Sequence, residues 1–188
     1  MGDGYEIQRA KLDDSILRSC LKDWLSVCHA NETDTAITEE LPIPRPSVRA
    51  DVVVTNGRFV GYEIKSDLDS LSRLPRQVRG YSEVFERAFV VTTTKRVVQA
   101  KRFLPDWWGL IEIKPDLSVQ VHSKGRINPA INLVNVLYIL PRAKLKNVAD
   151  QLELSVQSSL KKPDLISAIT IGASRSKILS AFRTIMKT

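Results

Sequence analysis

The chain has 188 residues, enough for one well-buried core with an appendage and cramped for two equal domains. Its 43% hydrophobic and 26% charged residues exclude a wholly disordered or fibrous chain, and no run approaches the roughly 18 apolar residues of a membrane span. The net charge of +7 is uneven, since residues 130–188 carry +6 of it, so a basic tail on a nearly neutral body is expected to meet either phosphates or only solvent.

The start, MGDGYEIQRAKLDD, has no apolar signal core, and a cytoplasmic protein is expected. Ile16, Leu17, Cys20, Leu21, Trp24, Leu25 and Cys28 then recur at helical spacing behind Asp13 or Asp14 as N-cap, which predicts an amphipathic first helix. Cys20 and Cys28 read as reduced thiols on it. Cys28-His29 has only His122 to join it and no CxxC is present, so no zinc site is expected.

AITEELPI, VRADVVVT and RFVGYEIK are short β-branched runs separated by prolines or Asn56-Gly57, and they predict three strands. Ser72 is a candidate cap for a helix with Pro75 in its first turn, a stripe of Leu74, Val78, Tyr81, Val84 and Phe85, and an end near Arg87. AFVVTTT, apolar on both faces, predicts an interior strand. A helix from about Lys95 to Leu104 and the strands GLIEIK and SVQVH complete the order α-β-β-β-α-β-α-β-β.

Beyond Lys124 the pattern is helical only, with openings at Asn128-Pro129, Pro141, Pro163 or Asp164, and Ser174. This places a boundary near Gly125 and divides the chain into an α/β domain over 1–124 and a basic helical appendage over 125–188.

Asp51 precedes Glu63 by twelve residues, and Glu63-Ile64-Lys65 puts a carboxylate and an amine on one face of a strand. Val60, Tyr62 and Ile64 make that strand otherwise apolar, so both charges need compensation. A divalent metal, Mg²⁺ or Mn²⁺, fits two strand carboxylates, a backbone carbonyl and water. Such an ion activates water and steadies charge growing on a phosphate, with Lys65 beside it to orient the attacking water. The plain reading is a structural ion-pair cluster.

The arrangement D51-(X11)-E63-I64-K65 resembles the PD-(D/E)XK nuclease superfamily, and QVRGY, with Gln77 and Tyr81 one helical turn apart, is similar to the QxxxY motif of its RecB-like branch. The run from Arg49 through Phe85, with PDWWG further on, also looks like a family of small uncharacterised bacterial and phage members, over roughly residues 36–115. The resemblance implies an α/β, restriction-endonuclease-like core with a central mixed sheet flanked by helices. It implies catalytic roles for Asp51, Glu63, Lys65, Gln77 and Tyr81, and a metal held by Asp51, Glu63, the Ile64 carbonyl and Glu40. Glu39 competes with Glu40, because adjacent strand residues face opposite ways. The first helix offers only Asp13, Asp14 and Asp23 where many members supply a further glutamate, which leaves one metal or two open.

Arg73 continues the Gln77 stripe and is a candidate phosphate contact, or a partner of Asp69. Trp107 and Trp108 read as the closure of a core, Ser66, Asp67 and Asp69 as a turn out of the sheet, and His122 receives no role. Residues 141–169 resemble, loosely, a SAP-type helix-extended-helix, which would hold DNA through Lys144, Lys146, Lys161 and Lys162; otherwise the tail is a lid on the sheet. The expected function is Mg²⁺- or Mn²⁺-dependent hydrolysis of DNA, and the alternative is a nuclease-fold DNA-binding or protein-interaction module without turnover.

Hairpin parity tests the site. A two-residue Asn56-Gly57 loop would set Thr55 opposite Arg58 and turn Asp51 away from Glu63. A shared site requires the other parity, from a three-residue loop with a bulge or an extra bulged residue in either strand; Thr55 opposite Phe59, for example, brings Asp51 across from Glu63 and Arg49 across from Lys65.

Overall fold

The computed structural model describes residues 11–44 and 47–188. Asp13 caps the first helix by accepting from the Ile16 N–H, and α1 (Asp14–Cys28) buries Leu17, Leu21 and Leu25 on one stripe. The strands β1 (Ala36–Pro44), β2 (Ser47–Asn56) and β3 (Arg58–Lys65) follow as an antiparallel meander. A 3-10 turn over Leu71–Arg73, capped by Ser70, leads into α2 (Leu74–Val84). β4 (Arg87–Thr93), α3 (Val97–Lys101), β5 (Gly109–Ile113) and β6 (Val119–Lys124) complete the α/β part.

The described strands make one six-stranded open sheet in the order β1-β2-β3-β4-β5-β6. It is mixed: β3, β4 and β5 run parallel across helical crossovers, and β6 returns antiparallel. Helices flank both faces. Leu17, Leu21 and Leu25 of α1 pack with Val52, Val54, Ile64 and Val91 on one side. On the other, Val53, Phe59, Val90 and Leu110 meet Leu74, Val78 and Tyr81 of α2.

The tail forms α4 (Leu133–Tyr138), α5 (Arg142–Gln151), α6 (Lys162–Gly172) and α7 (Arg175–Met186). Their apolar residues, Val136, Leu145, Ile166 and Phe182 among them, join the α2 side of the core in one continuous cluster. Buried Glu86 fastens α7 there, accepting from the Phe59 N–H at 2.8 Å, Arg183 at 2.9 Å and Arg58 at 3.1 Å. No helix of the described residues is long and apolar enough to cross a membrane.

Several boundaries differ from the sequence expectation. Helix α2 begins at Leu74, not Ser72, because Ser70 caps the preceding 3-10 turn; it ends at Val84, and Arg87 already opens β4. α3 is shorter than 95–104, since Thr93 to Arg96 close a turn first. α4 starts at Leu133 with Asn132 as cap, while the Asn128 amide is spent on the carbonyls of Ser82, at 2.7 Å, and Phe85, at 2.9 Å.

Candidate active site

The site begins with a register. Thr55 stands opposite Phe59 and Val52 opposite Tyr62, with Gly57 at φ 56° in the turn. That backbone conformation suits glycine, and it turns the hairpin in the parity that lets Asp51 and Glu63 share a face. The pairing stops at Val52 and Tyr62. Beyond it the strands part around the Asp51 carboxylate, whose Oδ2 accepts the Ile64 N–H at 2.8 Å. Neither expected opposition, of Asp51 to Glu63 or of Arg49 to Lys65, therefore forms as a ladder pair, and Arg49 pairs across β1 with Pro42.

At this split lies a cavity of about 630 Å³, lined by Glu40, Asp51, Glu63, Ile64, Lys65 and Gln77, and by the basic residues Arg18, Arg49, Arg73 and Arg76. Three strands and two helices thus deliver the candidates to one place. Glu63 is fully buried, Lys65 nearly so, and Lys65 Nζ donates to Glu63 Oε1 at 2.5 Å. The other oxygen, Glu63 Oε2, has no hydrogen-bond partner, and neither does the buried Oε1 of Gln77.

An incompletely compensated buried carboxylate resists ionisation. Burial, and then repulsion from Asp51, push Glu63 up to about 7. Asp51 is also raised by burial, against the pull of the Ile64 N–H, Lys65 and Arg18. The pair therefore has a deficit of positive charge.

Glu40, rather than Glu39, reaches the cavity. It has a left-handed φ of 55°, and its register position is the gap in the β1–β2 pairing between Glu39–Val52 and Leu41–Ala50. Glu39 is not in the cavity lining; it pairs with Lys22 at 2.5 Å and lies 3.9 Å from Arg18 Nη1. The Glu40 carboxylate is ion-paired, Oε1 with Arg18 at 2.9 Å and Oε2 with Arg49 Nε, although Oε2, like Glu63 Oε2, accepts no hydrogen bond.

Tyr81, expected among the catalytic residues, is not in the cavity lining, but its hydroxyl is close enough to the Glu63 carboxylate to favour that group's ionised form. It is wholly buried, accepts from the Asp51 N–H at 3.2 Å and donates to the Tyr62 carbonyl at 3.3 Å. Its hydroxyl thus braces β2 and β3 where their own ladder ends. Arg73 is exposed at the rim. Asp69 accepts from the Ser66 N–H and hydroxyl, closing the turn out of β3.

The tail lysines are not in the cavity lining. Lys144 donates to the Ile185 carbonyl at 3.3 Å and Lys162 to the Tyr138 carbonyl at 2.8 Å, so each holds helices together. Lys146 is half-buried on α5, and Lys161, the N-cap position of α6, is exposed. Trp108 is buried and donates to Ser82 Oγ, and Trp107 packs against it. Cys20 and Cys28 are free thiols. His122 sits 2.6 Å from Glu112 Oε2.

Sequence reasoning missed Arg18. Its guanidinium reaches across from α1, donating to the Asp51 carbonyl at 2.8 Å and to Asp14 at 3.1 Å. Burial works against that charge, but the bond and field of Asp14, with Asp51 and Glu40, raise its pKa overall. The one available signal was the i, i+4 spacing of Asp14 and Arg18 at the helix start. Among the described residues, no three His, Cys, Asp or Glu side chains converge as a ready metal cage.

The profile of the family described as bacteriophage P4 protein cII matches residues 8–188. Protein cII of Enterobacteria phage P4 is 28% identical over 149 residues, covering 78% of this chain and 56% of that protein. The chain thus spans little more than half the length of this relative. A protein of unknown function from Silicibacter pomeroyi superposes with a TM-score of 0.42 at 19% identity, over 60% of this chain and 73% of that one. The profile match extends over nearly the whole chain, from the first helix through α7.

Proposed function

We propose that the chain, which belongs to the bacteriophage P4 protein cII family, is a metal-dependent nuclease with a restriction-endonuclease-like core that hydrolyses DNA phosphodiester bonds. The observation that carries this reading is Glu63. It is fully buried, raised to about 7, and leaves one oxygen unpartnered in a cavity that also holds Asp51 and Lys65. Such an arrangement is costly for folding alone and is characteristic of a group kept ready for a cation.

Mg²⁺ or Mn²⁺ would be held by Asp51, Glu63 and the Ile64 carbonyl, hard oxygen donors of the kind these ions prefer. When bound, the ion would supply Lewis-acid activation of water and of the phosphate. Lys65, fixed by Glu63, places an ammonium group where it can orient the attacking water and steady developing negative charge. Gln77 offers an unused carbonyl oxygen to the same space. Arg73 and Arg76 at the rim are cations of the kind that meet backbone phosphates, and Arg76 is steadied by donating to the Ser47 carbonyl at 3.0 Å. Tyr81 keeps Asp51 in place from behind.

One observation favours the alternative, a nuclease-fold binding module without turnover: Arg18 and Arg49 already neutralise Glu40, and Lys65 neutralises half of Glu63. Cleavage of plasmid and single-stranded DNA in Mn²⁺ separates the two. Turnover by the wild type that is lost in Lys65→Ala supports the nuclease. DNA binding without cleavage in any divalent ion supports the module.

A further inference from the structure

Arg18 occupies the outer half of the acidic cluster. Its Nη2 lies 2.9 Å from Glu40 Oε1, 3.1 Å from Asp14 Oδ2 and 3.7 Å from Asp51 Oδ1, while Nη1 donates to the Asp51 carbonyl at 2.8 Å. The side chain is only 17% exposed. Glu40 is gripped from its other side by Arg49. The inner half is different. Asp51 Oδ2 faces the Ile64 N–H, and Glu63 keeps an unpartnered oxygen in a fully buried side chain.

Taking the nuclease reading as its basis, we infer that Arg18 is the site's built-in second cation, so that the protein binds a single divalent ion, between Asp51 and Glu63, where a two-metal site would put another beside Glu40. Electrostatics and geometry support this together. A guanidinium within 4 Å of four carboxylates, Asp14, Glu39, Glu40 and Asp51, and bonded to a carbonyl is a fixed positive charge, and it removes the field that would draw in a second ion. It also occupies Glu40 Oε1, one of the oxygens that such an ion would need, while the charge of Arg49 faces Oε2. Glu40 is then the partner that positions Arg18 and not a metal ligand.

Manganese stoichiometry, from electron paramagnetic resonance of free Mn²⁺ and from calorimetry on the intact chain, tests this without reference to activity. The wild type should bind one Mn²⁺. Arg18→Gln should bind two, because Asp14, Glu40 and Asp51 lose their cation, and Arg18→Lys should return to one. Glu40→Gln should keep one site with affinity within about threefold of wild type, against the tenfold or greater loss expected of a ligand. Two ions in the wild type, or one in Arg18→Gln folded to the wild-type circular dichroism spectrum, would overturn the role of Arg18 and leave the nuclease reading standing. No Mn²⁺ bound by the wild type would overturn both. If Arg18→Gln does not fold, a tenfold loss in Glu40→Gln overturns the inference by itself.

Discussion

Lys65 Nζ donates to Glu63 Oε1 at 2.5 Å, two residues apart on one strand, and the carboxylate that accepts is wholly out of solvent. The ammonium compensates that carboxylate only in part, since burial still holds Glu63 near 7 against an ordinary 4.5. The folded chain therefore binds the Glu63 proton more tightly than the unfolded chain does. Between about 4.5 and 7 the native state carries more protons, so stability of the metal-free protein should fall as pH rises through that window. In Glu63→Gln this part of the slope should vanish. Urea unfolding at pH 5 and pH 8 measures it, and equal pH dependence in the two proteins would count against the raised carboxyl.

Metal affinity should move the other way. A ligand must be deprotonated to bind, so Mn²⁺ affinity is expected to rise with pH until Glu63 is ionised, above about 7. Asp51→Ala and Glu63→Ala should each lower it by tenfold or more. Calorimetry that showed undiminished affinity in either variant would place the ion elsewhere.

Glu86 depends on α7 for its main partner. Arg183 meets both carboxylate oxygens at 2.9 Å, whereas Arg58 reaches one of them and is half-exposed. Arg183→Ala leaves a buried carboxylate undercompensated, and a loss of about 3 kcal/mol is expected. Denaturant melts of the variant should show it, and a change under about 0.5 kcal/mol, the size of an ordinary surface substitution, would mean that Arg58 suffices.

The tail lysines should divide into two kinds. Lys161 is exposed, and its neutralisation should weaken DNA binding about equally across sequences and reduce the salt slope by about one. Lys162 bonds the Tyr138 carbonyl and lies 5.3 Å from the centre of its ring, so Lys162→Ala should cost about 1 kcal/mol of stability. Fluorescence anisotropy over a salt series, paired with thermal melts, distinguishes these effects. An unchanged salt slope in Lys161→Ala would favour a purely structural tail.

Local pattern determined a great deal about this protein. The leucine stripe of α1, the β-branched runs of β1 to β3 and the apolar AFVVTTT announced their elements because periodicity reports which faces are buried. The same logic placed Glu63 and Lys65 on one strand face, and parity showed which hairpin register a shared site with Asp51 would require. What only the tertiary structure decided were contacts between residues far apart in the chain. Arg18 comes 33 residues before Asp51 and lies on a helix packed against the opposite sheet face, so no spacing rule could join them. The choice of Glu40 over Glu39 turned on one left-handed residue in β1. Tyr81 shared a helical stripe with Gln77, yet the depth of the core separated a brace from a cavity wall. Sequence periodicity states that a side chain faces inward; which charge it meets there depends on how the layers close over it.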